Sequence, residues 1–318
     1  LADEPTSNLD PAAIADVRCA LELLKEQGMT IVVVEHRLHF LRELADQVLL
    51  MEAGAVTRRW SGEEFYSMTD EERCSLGLRT LVDPGPPEAW VASRGSGEVA
   101  AGAEAPRLSC HNLSFSYGRT PVFQGFNADF HSGEITCIAG VNGVGKTTLV
   151  RVLCGLAAPN SGEISLDGVT SSRSQRRAMC ALVMQDTGRQ LFSDTLEGEL
   201  TIGASDASGE VGEKLLADFD LANLGDRHPL SLSGGQKQRL VIAAARAARR
   251  PIVILDEPTS GVDARHLDSI TATLRRIADE GAAVIVVTHD GEFASACADR
   301  LITLTPADGG CANEGKQL

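Results

Sequence analysis

Residues 106–305 predict an α/β fold with a mainly parallel sheet core, an antiparallel β subdomain at its start and helices packed on the sheet. Two observations carry this. Short apolar runs bounded by Gly and Asp alternate with longer helical patterns, the signature of strands joined by crossover helices. The opening stretches alternate with period two, as half-buried antiparallel strands do. A third observation concerns the whole chain: LADEPTSNLDP at 1–11 returns as ILDEPTSGVDA at 254–264, so part of the fold is present twice.

In order, LSCHNLSFSYG (108–118) and VFQGFNADF (122–130) read as an antiparallel hairpin. ITCIAG (135–140) is the first core strand, KTTLVRVLCGL (146–156) its helix and CALVMQ (180–185) a second strand. QKQRLVIAAARAA (236–248) is a long helix, IVILDE (252–257) a third strand, SITATLRRIADE (269–280) a helix and AVIVVTH (283–289) a fourth strand. Ligands of such sheets bind at the carboxyl ends of the strands.

The repeat has an offset of 253 and runs ungapped from Asp3 and Asp256 through Asp10 and Asp263 and His36 and His289 to Asp46 and Asp299. The second copy has nearly 150 residues between its first strand and Asp256, whereas the first has two residues before Asp3. The expected organisation is therefore a C-terminal fragment of a first domain at 1–53, a linker at 54–105, a complete second domain at 106–305 and a tail at 306–318. The linker contains DPGPPEAW and SRGSGEVAAGAEAP, a composition that reads as a flexible connector. Trp60, Phe65 and Tyr66 are placed to dock part of it; Trp90 alone decides nothing.

Hydrophobic residues at 43% and charged residues at 23% describe an ordinary globular mixture. No apolar stretch approaches the ~20 residues that span a bilayer. A net charge of −15 repels phosphate backbones, so no nucleic-acid partner is expected; the basic runs at 173–177 and 246–250 read as solvated helix faces. Eight cysteines show no C-x-x-C pair and no metal-ligand spacing, and most read as small core residues of a reducing cytosol.

GVNGVGKT (140–147) fits G-x-x-x-x-G-K-[ST] between a strand and a helix. Gly140, Gly143 and Gly145 let backbone N–H groups curl round phosphate oxygens, with Asn142 and Thr148 in the same segment, and the helix N-terminus faces the anion. Lys146 reaches the β and γ phosphates and Thr147 holds Mg²⁺. Asp256 ends its strand where it can hold the Mg²⁺ hydration shell, and Glu257 can polarise an attacking water. LSLSGGQKQR adds a second anion-receiving helix terminus at Ser233, Gly234, Gly235 and Gln236. One chain cannot aim both termini at one phosphate; two domains packed head to tail can.

The phosphate loop, LSGGQ, LDEPT, the SGVD turn and the VTH strand end, in this order, resemble the nucleotide-binding domain of ABC transporters. The resemblance covers about 200 residues fully and the first 53 as a fragment. It implies a P-loop NTPase cassette with a helical signature subdomain, ATP and Mg²⁺ as cofactors, and catalytic roles for Glu257, His289 and Gln185. Tyr117 resembles the aromatic that stacks on adenine. Gln185 resembles the glutamine that approaches Mg²⁺ and the attacking water, Asp263 the aspartate that touches the partner cassette, and His289 the histidine at the γ phosphate. Asp3, Glu4, Asp10 and His36 are the corresponding remnants of the first cassette. MQDTGRQLFSDTLEGEL, RHPLSLSGGQ with Arg227, His228 and Pro229, and EHRL around His36 resemble the ATPases of energy-coupling factor transporters, which import vitamins and transition-metal ions. There the segment at Gln190, Leu191 and Phe192 faces the transmembrane subunit.

The resemblance implies a peripheral protein at the cytoplasmic face of the cell membrane, partnered by a transmembrane subunit, a substrate-binding membrane component and a second cassette. A soluble tandem cassette acting on ribosomes or DNA is the alternative, for which the acidic charge and the Pro/Gly/Ala-rich connector are unsuited. An ATP sensor that does not hydrolyse predicts a degraded catalytic position, and both Glu4 and Glu257 are intact.

Overall fold

The computed structural model describes residues 1–7, 9–87, 89–92, 105–204, 207–259 and 261–305. The tail at 306–318, the glycine- and alanine-rich part of the linker at 93–104, and Cys311 lie outside the described residues. The chain divides into two compact units, Leu1–Pro84 with Gly261–Asp268 and Gly85–Ser260 with Ser269–Leu318.

The first unit contains β1 (Ala2–Asp3), α1 (Pro11–Glu26), β2 (Val33–Val34), β3 (Gln47–Glu52), β4 (Ala55–Ser61), α2 (Gly62–Tyr66) and α3 (Asp70–Ser75). Strands β1 and β2 pair in parallel. Helix α1 starts where Asp10 accepts the Ala13 N–H at 2.9 Å and Pro11 fits the first turn, which needs no N–H donor. Its Ile14 and Leu21 pack with Phe40 into a small core. The connector expectation fails for 54–84: β3 and β4 form an antiparallel hairpin, Ser61 and Glu64 form a capping box on α2, and Phe65 is 1% exposed between Trp60 and Tyr66. Tyr66 donates to the Leu38 carbonyl at 2.7 Å. Proline and glycine in the window masked this local order; the aromatic cluster supplies the buried area that makes it fold.

The second unit contains α4 (Ala89–Ala92), β5 (Leu108–Tyr117), β6 (Thr120–Phe130), β7 (Ile135–Ala139), α5 (Lys146–Leu153), β8 (Ser161–Leu166), β9 (Val169–Thr170), α6 (Arg173–Met179), β10 (Cys180–Val183), α7 (Leu196–Ile202), α8 (Glu210–Asp218), α9 (Gly234–Ala247), β11 (Ile252–Asp256), β12 (Ala283–Val287), α11 (Gly291–Cys297) and β13 (Arg300–Thr303). Helix α10 (Ala264–Asp279) begins in the 261–268 segment. The core sheet has the order β10-β11-β12-β7-β13, and every pairing is parallel. Its central strands are buried along their whole length, as strands covered on both faces must be. A second, antiparallel sheet has the order β6-β5-β8-β9. Leu108, Phe126 and Phe130 from this sheet pack with Ile138, Leu149, Ile254 and Ile285 of the parallel layer in one hydrophobic core.

One residue left undecided by the sequence is placed, and one further expectation changes. Trp90 is 2% exposed, its indole N–H donates to the Gly85 carbonyl at 3.0 Å, and α4 packs on α11 and β13. Arg176, expected on a solvated face, is 3% exposed and donates to the Ser171 carbonyl at 2.8 Å; burial lowers its pKa from the ordinary arginine value. Of the cysteines, Cys110, Cys137, Cys154 and Cys297 are buried, whereas Cys19 and Cys74 are exposed.

The 253-residue offset holds in the backbone. Helices α1 and α10 span corresponding residues. The register Ala2↔Val33 and Asp3↔Val34 matches Leu255↔Val286 and Asp256↔Val287. Glu4 has φ 42° and Glu257 φ 52°, both in the left-handed region that costs a non-glycine residue ~1–2 kcal/mol. Each is held there by the same bond: Glu4 N–H donates to the Val34 carbonyl at 2.8 Å and Glu257 N–H to the Val287 carbonyl at 2.9 Å.

Candidate nucleotide site

The carboxyl ends of β7, β11 and β12 assemble the site. After β7 the chain turns through 140–145 into α5. Gly145 has φ 107° and is the N-cap of that helix; a Cβ there would meet Val122 at 2.4 Å. Gly143 has φ 80° and nothing within 4 Å of its Cβ position, so the loop keeps open space on the side where its N–H groups can meet an anion. Lys146, 8% exposed, sends Nζ back over the loop to the Gly140 and Val141 carbonyls at 2.7 and 3.2 Å. The ammonium is thereby held above the residues whose amides form the cradle.

Thr147 donates its hydroxyl to Asp256, which is 3% exposed. Burial, and after it the charge of Glu257, pushes the Asp256 carboxyl above its ordinary range, against the pull of the Thr147 hydrogen bond and of Lys146. Mg²⁺ takes oxygen ligands and keeps several waters. A hydroxyl and a carboxylate in mutual contact fit that ion, with the remaining positions left to phosphate and water. No cluster of three or more His, Cys, Asp or Glu able to hold a metal occurs among the described residues.

Glu257 and His289 are 7% and 6% exposed. The His289 Nδ1 lies 2.6 Å from Glu257 Oε1. Against an ionised carboxylate, which only accepts, Nδ1 is the donor of this bond. The counterpart pair approaches through the other ring nitrogen, His36 Nε2 standing 3.8 Å from Glu4 Oε1 with side chains 44% and 36% exposed.

Tyr117 is 56% exposed. Its ring meets Phe115 edge-on with centroids 5.0 Å apart, and its hydroxyl lies 3.5 Å from the Thr148 hydroxyl. A largely exposed aromatic beside the phosphate-loop helix suits a base that stacks. Gln185 lies two residues beyond β10 and is exposed. Asn142 is likewise exposed, on the loop.

Ser233, Gly234, Gly235 and Gln236 form the start of α9. Ser233 and Gln236 close a reciprocal capping box, the Ser233 N–H donating to Gln236 Oε1 at 3.0 Å. No atom lies within 4 Å of a Cβ built on either glycine. Asp263 bonds the His266 N–H at 2.9 Å and its ring at 2.7 Å, as Asp10 bonds Ala13. Asp3 ends β1 as Asp256 ends β11. In the first unit a Cβ on Gly261 would meet the Glu4 carboxylate at 2.9 Å.

The segment after β10 departs from expectation in one respect. Gln190 bonds the Met184 N–H at 2.6 Å and the Leu182 carbonyl at 2.7 Å, and Leu191 is buried; only Phe192, 79% exposed, points outward. The Phe192 and Ser193 N–H groups donate to Glu199. Sequence reasoning also passed over Thr259 and Asp290, which are 2% and 3% exposed and share a hydrogen bond of 2.9 Å. The signal for them was a Thr two residues after Glu257 and an Asp directly after His289.

A family model described as ABC transporter matches residues 123–260. A putative ABC transporter ATP-binding protein of Treponema denticola is 37% identical over 305 residues, covering 95% of this chain and 62% of its own length. The putative HMP/thiamine import ATP-binding protein YkoD of Bacillus subtilis is 30% identical over 337 residues, covering 98% and 61%. The chain thus spans about three fifths of the length of these curated relatives. Among solved structures, cbiO1 from Clostridium perfringens, part of the ABC transporter complex cbiONQ, aligns with a TM-score of 0.56 and 30% identity over 64% of this chain and 86% of its own. An ATP-binding subunit of an ABC transporter aligns with a TM-score of 0.55 and 26% identity, over 62% and 85%. No helix among the described residues is long and apolar enough to cross a membrane. With a family model over 123–260 and relatives that are themselves named ABC transporter ATP-binding proteins, this chain contains the ATP-binding domain of ABC transporters.

Proposed function

We propose that this chain is an ATP-hydrolysing part of an ABC importer, in which MgATP draws two cassettes together and hydrolysis lets them part, moving a membrane partner. The observation that carries the reading is the buried Glu257–His289 pair, 2.6 Å apart, at the strand ends that also hold Asp256 and Lys146. Glu257 takes the proton of the attacking water, His289 holds that carboxylate and faces the γ phosphate, and Lys146 and Thr147 bind phosphate and Mg²⁺. Gln185 completes the Mg²⁺ and water contacts, Tyr117 stacks on adenine, and Ser233 to Gln236 with Asp263 serve the partner's nucleotide.

Residues 1–53 are read as the end of a first cassette, supported by the shared register, the paired helices and the left-handed Glu4. Two complete shared sites form by head-to-tail dimerisation of second cassettes, a reading supported by the second anion-receiving helix terminus at Ser233 to Gln236. The importer assignment, of the energy-coupling factor type and for a vitamin or transition-metal ion, is supported by the thiamine-import relative and the cbiONQ component. The exposed Phe192 suits contact with a transmembrane subunit, at the cytoplasmic membrane face. Phosphate release measured against protein concentration tests the whole reading. Specific activity that rises with concentration and falls by ~10² to 10⁴ in Glu257→Gln is expected. High activity in a monomer, or a Glu257→Gln variant within a few-fold of wild type, refutes it.

A further inference from the structure

We propose that Asp290 is the positioning residue that fixes the His289–Glu257 pair; in the N-terminal repeat Glu35, on the other side of the histidine, keeps only the threonine contact, and there the pair stays open. The inference rests on the reading of Glu257 and His289 as a working pair, and adds what holds them.

After β12 the chain turns at Thr288, His289 and Asp290, which are 0%, 6% and 3% exposed. The Asp290 carboxylate is divided between two tasks. Oδ2 accepts the Thr259 hydroxyl at 2.9 Å, and Oδ1 accepts the Phe293 N–H at 3.2 Å, capping α11. The Asp290 N–H donates to the Thr288 hydroxyl at 3.0 Å. One buried carboxylate therefore ties the residue two places after Glu257 to the residue one place after His289. The helix N-terminus it caps favours its negative charge.

In the first copy the threonine is kept and both residues flanking the histidine differ. Thr6 corresponds to Thr259, Glu35 to Thr288 and Arg37 to Asp290. The Thr6 hydroxyl and N–H both donate to Glu35 Oε2, at 2.9 and 3.2 Å. Glu35 Oε1 accepts the His36 and Arg37 N–H groups at 3.0 and 3.2 Å, and the Arg37 guanidinium reaches the Leu9 carbonyl at 3.4 Å. The carboxylate has moved from after the histidine to before it, while its threonine partner has stayed.

The two differences thus belong together. Arg at 290 alone puts a cation where Thr259 needs an acceptor, and Glu at 288 alone crowds a second carboxylate against Asp290. Exchanged as a pair, they give the threonine back a carboxylate acceptor, as in the first copy, where His36 and Glu4 nevertheless stand 3.8 Å apart. A buried hydroxyl left without its acceptor is costly, and its loop relaxes instead.

The test uses the full chain and two readouts. Proton NMR follows the exchange-protected imidazole N–H of His289, assigned by its loss in His289→Gln, and phosphate release gives kcat and KM for MgATP. Asp290→Ala is expected to lose the protected resonance and about tenfold in kcat, with KM changed less than about twofold, the pattern of a lost transition-state contact. Asp290→Arg behaves the same way. If Asp290→Ala does not fold, Thr259→Val removes only the donor and carries the same expectation. A wild-type resonance in Asp290→Ala, or in Thr259→Val where that variant stands in, overturns the proposal. If no form of the chain turns over ATP, the hydrolysis reading fails by itself, and the resonance still decides on Asp290.

Discussion

Glu257 and His289 meet at 2.6 Å in a buried site, whereas Glu4 and His36, in the same motif 253 residues earlier, stand 3.8 Å apart with more than a third of each side chain exposed. The local backbone does not explain the difference, because strand register, helix span and the left-handed glutamate are shared. What differs is the pair of residues flanking the histidine, Glu35 and Arg37 against Thr288 and Asp290, and the surrounding sheet. β11 and β12 are flanked by β10 and β7, while β1 and β2 form a sheet of two strands. The motif supplies geometry; neighbours distant in sequence supply the dry environment in which a carboxylate and an imidazole make a strong bond.

The largest expected effect tests that contrast directly. Glu257→Gln should cost ~10² to 10⁴ in phosphate release, and Glu4→Gln far less; equal losses would erase the distinction. Next come the corresponding phenylalanines Phe293 and Phe40, 0% and 5% exposed. Truncation of a core Phe to Ala costs ~3–5 kcal/mol. Urea unfolding should place Phe293→Ala in that range and Phe40→Ala at its lower end, since Phe40 packs in the smaller cluster. Third, Lys146→Ala should weaken ATP binding about 10- to 100-fold, the worth of ~1.5–3 kcal/mol for a charged hydrogen bond, and calorimetry should find one ATP per chain.

The smallest effect concerns the first unit alone. Burial pushes the Tyr66 hydroxyl up to about 12, against the pull of Arg42 and Arg18. Above its ordinary value near 10 the unfolded chain ionises first, so folded stability falls as pH rises from about 10 to about 12 and the slope then levels. Tyr66→Phe should lack this component in pH-dependent melting, which reports whether 54–84 folds with the fragment.

The catalytic strands were legible because buried parallel strands read as continuous apolar runs, and the phosphate loop because its glycines and lysine must be adjacent in sequence. The order of residues 54–84 was not, since Trp60, Phe65 and Tyr66 become a core only after β4 turns into α2. Trp90 gave no periodic signal; its burial depends on α11 and β13, some 200 residues away. Arg176 was misread because a basic run looks the same whether its guanidinium meets water or the Ser171 carbonyl. The Thr259–Asp290 contact joins two loops across 31 residues, and only the sheet brings them together.

The left-handed glutamates have a consequence for how such a chain evolves. At φ 42° and 52° a glycine sits without the steric penalty, so stability alone rewards replacing either carboxylate by ~1 kcal/mol or less once the glycine's unfolded freedom is counted. A copy free of catalytic duty has a standing thermodynamic incentive to lose its glutamate. Glu4 therefore sits, as Glu257 does, against a small thermodynamic gradient toward glycine.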